Sequence, residues 1–182
     1  EAELDHIVKD MKRIGLKLSV DGDMSDFLGV KINHESDGTI HLTQPHLIDQ
    51  ILKDLRLDND ENGKTSSIPA MSSKLLSRHS KSKPFDRSFD YRSVLGKIGY
   101  LEKGSRSDIA YITHQCQRFS INPKVEHGKA VRWLGRYLKG TRDKGTILKP
   151  DLKKSLEVHV DADFAGNWDK DETWDPDTAR SR

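Results

Sequence analysis

The sequence predicts an α+β chain, and three observations carry that expectation. A glycine-punctuated stretch of alternating apolar and polar residues, Asp26 to Thr43, has the period of a β-hairpin. Three segments with apolar residues at helical spacing follow one another between Phe89 and Leu138. The chain also opens on an amphipathic helix, Glu1 to Ile14, with Leu4, Ile7, Val8, Met11 and Ile14 on one face and charges on the other. At 182 residues it can form one domain or two small ones. A hydrophobic fraction of 34% against 33% charged residues is lean for a compact domain, so long loop segments are expected as well.

Gly15 is placed to end the first helix. Leu16, Leu18 and Val20 then alternate as in a half-buried strand. Met24 to Asn33 is apolar enough for another strand through Phe27, Leu28, Val30 and Ile32, with Gly29 inside it marking a bulge or a close backbone approach. Asp37-Gly38 is a hairpin turn, and Ile40 and Leu42 alternate beyond it. Thr43 is placed to cap a helix running through Leu55 with Leu47, Ile48, Ile51 and Leu52 on its face. Residues 58–88 have little periodicity and seven serines from Ser66 to Ser82, which predicts a flexible linker, a surface loop or a segment wrapping a neighbour.

The first helix of the basic block carries Val94, Leu95, Ile98 and Leu101, interrupted by Gly96 and Gly99 at about 1 kcal/mol each relative to alanine. Two readings account for such glycines: tight helix packing, or the approach of a partner's backbone. Ser107 to Phe119 forms the second helix, Asn122-Pro123 breaks the chain, and Lys124 to Leu138 forms the third, ended by Gly140. Thr146 to Leu148 and Leu156 to Val160 read as short strands, and the chain beyond Asn167 is acidic and poor in apolar residues.

Net charge is only +2, but it is unevenly spread. From Tyr91 to Thr141 bases such as Arg92, Lys97, Lys103, Arg106, Lys129 and Arg132 outnumber the acids, whereas Asp151 to Arg182 is acidic. A basic helical block is either a solvated surface or a site for a polyanion. Cys116 stands alone, which excludes an internal disulfide and fits a reducing compartment. No apolar run reaches membrane-spanning length and no signal peptide opens the chain, so an intracellular protein, cytoplasmic or in a virus-like particle, is expected.

Several short motifs occur in a fixed order: Phe27-Leu28-Gly29, Gln44-Pro45-His46, Tyr91-Arg92-Ser93-Val94-Leu95-Gly96, Ile98-Gly99-Tyr100-Leu101, Asp108-Ile109, Pro123 with His127, Tyr137-Leu138-Lys139-Gly140-Thr141 and Asp161-Ala162-Asp163-Phe164-Ala165-Gly166. In that order and spacing the chain resembles the polymerase polyprotein of copia-type retrotransposons, from the end of the reverse transcriptase palm into ribonuclease H. The resemblance implies a division into palm end with primer-grip-like hairpin (1–57), linker (58–88), thumb- or connection-like helices (89–142) and the opening of a truncated ribonuclease H domain (143–182). It implies that Phe27, Leu28 and Gly29 in the hairpin, and Gly96, Lys97, Tyr100 and Arg106 in the thumb, contact a template-primer duplex, RNA–DNA or DNA, with the rest of the polyprotein as the other partner. It makes Asp161 the first metal-binding carboxylate of ribonuclease H, where clustered carboxylates hold Mg²⁺ and the ions activate water.

Two departures temper this. The polymerase's paired aspartates are expected upstream of Glu1, and the remaining ribonuclease H ligands beyond Arg182, so this stretch is expected to be inactive alone and to hold no ion stably. Ser107 stands where the family often has proline, which loosens that helix start. The alternative is a non-enzymatic nucleic-acid-binding or structural remnant of a decayed element.

Overall fold

The elements run, in chain order, α1 (Ala2–Arg13), β1 (Asp26–Phe27), β2 (Val30–His34), β3 (Ile40–Thr43), α2 (Pro45–Asp54), α3 (Tyr91–Gly104), a 3-10 turn (Ser107–Ile109), α4 (Ala110–Gln117), α5 (Val125–Gly140) and β4 (Thr146–Leu148). The computed structural model describes residues 2–18, 25–58, 63–71, 76–77, 81–149, 151, 153, 158 and 160. The fold is α+β, as the sequence predicts. A four-stranded antiparallel sheet in the order β1-β2-β3-β4 stands beside a helical bundle.

The core forms where α2, α3, α4 and α5 pack together. Ile48, Ile51 and Leu55 come from α2 and the residue after it, Val94, Ile98 and Leu101 from α3, and Val131, Leu134 and Leu138 from α5, and each is fully buried. These are the positions at helical spacing that the sequence marks as apolar, and burying each such side chain contributes about 1.5–3 kcal/mol. Asp90 caps α3, its carboxylate accepting from the Ser93 N–H at 2.9 Å. At α2 the capping differs from expectation: Gln44 rather than Thr43 precedes the helix, Pro45 occupies its first turn, and the Gln44 side chain makes no cap bond.

The strands also depart from the sequence reading in two places. Residues 16–18 form no strand, and Val20 lies outside the described residues. Met24 to Asn33 is not one strand, because Leu28 and Gly29 have φ of 52° and 77° and reverse the chain between β1 and β2. The glycine therefore supplies a turn rather than a bulge. β4 joins the hairpin sheet by pairing with β3, His41 opposite Ile147. Residues 146–148 form the short strand expected there, as the fourth strand of this sheet.

The described parts of the serine-rich segment run along α5. The Ser66 N–H donates to the Arg136 carbonyl at 3.3 Å, the Trp133 indole donates to the Ile68 carbonyl at 3.1 Å, and Val125 N–H donates to the Lys83 carbonyl at 2.9 Å. Two α5 glycines give this side room: a Cβ at Gly128 would strike the Phe85 ring, and one at Gly135 would come within 2.6 Å of Leu55 and 2.7 Å of Leu57.

Candidate nucleic-acid interface

Phe27 pairs with Val30, so Leu28-Gly29 is a two-residue connection with positive φ at both positions. That is the twist-matched hairpin turn in which glycine or asparagine is favoured. Leucine in the left-handed region costs about 1–2 kcal/mol. Leu28 is nonetheless 71% exposed and Phe27 55% exposed, so the tip presents apolar surface to solvent at the cost of strain. The Leu28 carbonyl accepts a hydrogen bond from the Tyr100 hydroxyl at 2.7 Å. This contact joins the hairpin tip to α3.

The outer face of α3 follows from helical periodicity. Val94, Leu95, Ile98 and Leu101 turn into the core, which leaves Arg92, Gly96, Tyr100 and Lys103 in an exposed stripe. The two glycines of the helix separate here. A Cβ at Gly99 would lie 2.7 Å from the Gln117 side-chain amide, so Gly99 serves helix packing. A Cβ at Gly96 would meet nothing within 4 Å. Among the described residues no internal contact explains glycine at position 96, although it weakens the helix there.

Phe27, Leu28, Gly29, Gly96 and Tyr100 thus come together on one face. Lys97 lies beside this face, and its Nζ is paired with Asp54 Oδ2 at 2.7 Å. Arg106 is turned inward and is 1% exposed. Its Nε and one terminal nitrogen donate to the two Asp108 oxygens at 2.9 Å, the other donates to the Thr141 carbonyl at 2.9 Å, and Tyr137 adds its hydroxyl to Asp108 at 2.7 Å. Burial works to raise the Asp108 pKa, but hydrogen bonds from Arg106 and Tyr137 outweigh it and hold the carboxyl below its usual range. In this structure Arg106 is an internal tie between the end of α3 and the end of α5, which a buried, fully bonded guanidinium suits. Asp161 and Asp163 lie outside the described residues. Among the described residues no group of three or more His, Cys, Asp or Glu could hold a metal.

Periodicity alone leaves the meeting of Leu28 and Tyr100 invisible, since 72 residues separate them. It also misses His127. That ring is fully buried, stacks on Phe119 at 3.9 Å, accepts from the Lys124 N–H through Nδ1 at 3.0 Å and faces the Ser77 carbonyl through Nε2 at 3.2 Å. It completes the N-terminal end of α5, where a glutamate or glutamine more often reaches back to the cap residue. Burial lowers its pKa from the ordinary 6.5, against opposing contributions from the Ser77 carbonyl and Glu126, so the ring is neutral.

Comparison with known proteins places the motif order in context. The chain is 35% identical over 143 residues to the retrovirus-related Pol polyprotein from transposon RE1 of Arabidopsis thaliana, which covers 79% of this chain. It is 32% identical over 147 residues to that from transposon RE2 of the same plant, covering 81%. It is 30% identical over 154 residues to that from transposon TNT 1-94 of Nicotiana tabacum, also covering 81%. The chain is a homologue of one segment of the copia-type retrotransposon Pol polyproteins. It spans 9%, 10% and 11% of the lengths of these three relatives. No family model and no solved structure matches it. Among the described residues of this Pol segment, no helix is long and apolar enough to cross a membrane.

Proposed function

We propose that this segment contacts the template-primer duplex of a retrotransposon reverse transcriptase with ribonuclease H, the hairpin acting as a primer grip and α3 as the thumb helix. The observation that carries the reading is the Tyr100–Leu28 hydrogen bond, which makes one surface of the hairpin tip and the α3 stripe. Arg92 and Lys103 supply cations toward the two ends of that stripe, Gly96 leaves its middle flat, and Tyr100 with Phe27 and Leu28 supplies apolar bodies for sugar and base edges. Such a surface suits a sequence-tolerant contact, since phosphates and groove shape carry no base code.

Titrating the purified chain against a labelled RNA–DNA hybrid tests it. Weak binding is expected, similar for unrelated sequences. The logarithm of affinity should fall with the logarithm of salt by about 0.9 per phosphate neutralised. Tyr100→Ala should weaken the binding several-fold. Absence of binding at low ionic strength, or an affinity indifferent to salt, overturns the reading.

The same reading makes Asp161 the first carboxylate of a ribonuclease H site whose Mg²⁺ would activate water. The described residues do not form a metal cluster, so no step of the proposal passes through an ion held by them. In the full-length polyprotein, Asp161→Asn should abolish cleavage of the RNA strand and leave polymerisation intact, while Asp163→Asn should do less. Undiminished cleavage by Asp161→Asn removes that assignment.

A further inference from the structure

Beyond the N-terminal end of α3 lies a cleft of about 390 Å³, lined by Phe85, Arg87, Phe89, Arg92, Ser120 and Pro123 among others. Its floor is aromatic. Phe85 meets Phe89 edge-on at 4.9 Å and Tyr91 edge-on at 5.7 Å, and Phe85 is only half-buried, leaving part of its ring open to the cleft. Arg132 already covers the Phe89 ring at 5.4 Å. Two further guanidinium groups belong to the wall. Arg87 and Arg92 are exposed, and neither makes an ion pair or hydrogen bond among the described residues. Two carboxylates border them, each oriented by a backbone bond: Asp86 accepts from the Ser88 N–H at 3.0 Å, and Asp90, itself part of the lining, from the Ser93 N–H at 2.9 Å.

The wall is also built in advance. Arg87 has φ of 55°, a conformation that a long side chain rarely adopts. The Asp86–Ser88 bond closes a turn over it, and the Phe85 N–H donates to the Pro123 carbonyl at 3.1 Å, fastening the loop to the start of α5. An order-1–3 kcal/mol strain of this kind persists only where the surroundings enforce it, and such outliers gather at ligand clamps.

We propose that this cleft binds the unpaired continuation of a nucleic-acid strand, a base against Phe85 and its phosphates on Arg87 and Arg92. The inference rests on the duplex reading above, through Arg92, which belongs both to the cleft wall and to the α3 stripe. Chemistry favours a single strand over a duplex here. Bases inside a duplex are stacked on each other and cannot reach a side-chain ring in a cleft, whereas unpaired bases stack on aromatic rings without regard to sequence. Arginine adds planar, bidentate contact to phosphate.

The test compares a blunt RNA–DNA hybrid with the same hybrid carrying a short single-stranded extension, and with that single strand alone, by fluorescence anisotropy. The extension should tighten binding about ten-fold, the effect of one stacked base. Arg87→Gln should erase that gain, lower the salt slope by about 0.7 and leave blunt-hybrid affinity and melting temperature unchanged. Ser120→Asp, which adds a carboxylate to the cleft, should erase the gain independently. Equal affinity for blunt and extended hybrids, or a gain that survives both variants, overturns the cleft while blunt binding sensitive to Tyr100→Ala keeps the duplex reading. Arg87-dependent binding of the single strand without any binding of the blunt hybrid keeps the cleft and overturns the duplex reading. No binding of any of the three overturns both.

Discussion

The two sides of the helical bundle handle their irregular residues in opposite ways. On the α5 side two glycines and two buried polar residues are answered from within. Gly128 makes room for Phe85 and Gly135 for Leu55 and Leu57, while buried His127 and Arg106 find protein acceptors and donors around them. On the outer α3 side the departures are unanswered. Gly96 faces open space, Leu28 holds a left-handed backbone with its side chain exposed, and Phe27 is exposed beside it. Local inconsistency that the fold resolves marks structure, and inconsistency that it leaves standing marks a surface awaiting something else. Substitutions on the first side should therefore change stability and leave binding alone, and those on the second should change binding.

The largest effect is expected at Arg106. Arg106→Leu takes the guanidinium donor from the Thr141 carbonyl, strips Asp108 of both its guanidinium bonds while leaving that from Tyr137, and removes the tie between the ends of α3 and α5. Asp108 is half-exposed and regains water, which keeps the loss at the low end for a broken pair, about 3 kcal/mol. Denaturant unfolding measures it. Near-native stability with weakened hybrid binding would break the comparison, because Arg106 would then belong to the outer surface.

That outcome also bears on what the sequence can disclose. The hairpin and the core faces of α2, α3 and α5 were legible, since periods of 2 and 3.6 and the Asp37-Gly38 turn are local signals, whereas the α2 cap fell one residue later than expected. Arg106 was legible as a motif and not as a buried residue, because arginine is almost never fully buried unless paired. Its pairing depends on Thr141, 35 residues on. The course of residues 63–71 along α5 has no periodic signature at all. Its contacts are backbone hydrogen bonds and single side chains such as Trp133, which only the folded bundle brings within reach. Leu28 and Tyr100 were each singled out, but their union needs β1, β2 and α3 to be in place first.

A smaller effect, with a pH signature, is expected at His127. Its folded pKa lies below the ordinary 6.5, so between those two values the unfolded chain binds a proton that the folded chain refuses. Stability is then fully present above pH 6.5 and falls as pH drops toward the folded value, at no more than about 1.4 kcal/mol per pH unit. Protonating Nδ1 would also forfeit the bond from the Lys124 N–H. Melting temperatures of the native chain and of His127→Gln across this range should differ in slope, the variant being flatter and less stable at neutral pH. Identical slopes would remove His127 from the set of internally answered residues.

The smallest effect on stability gives the sharpest comparison. Gly96 and Gly99 lie in one helix three residues apart, and each should gain up to about 1 kcal/mol of helix stability on replacement by alanine. At Gly99 part of that gain is spent moving the Gln117 side chain, an exposed and flexible obstacle 2.7 Å away. At Gly96 nothing stands within 4 Å, so the gain should be whole. Hybrid binding should divide them the other way. A methyl group at position 96 stands in the middle of the stripe between Arg92 and Tyr100 and holds a duplex off, whereas one at position 99 faces the Gln117 side chain of α4. Gly96→Ala should therefore melt higher and bind several-fold more weakly, and Gly99→Ala should bind as the native chain does. Equal binding by both variants would mean that the open space over Gly96 has no partner in the duplex, and the outer face of α3 would lose its claim to be the interface.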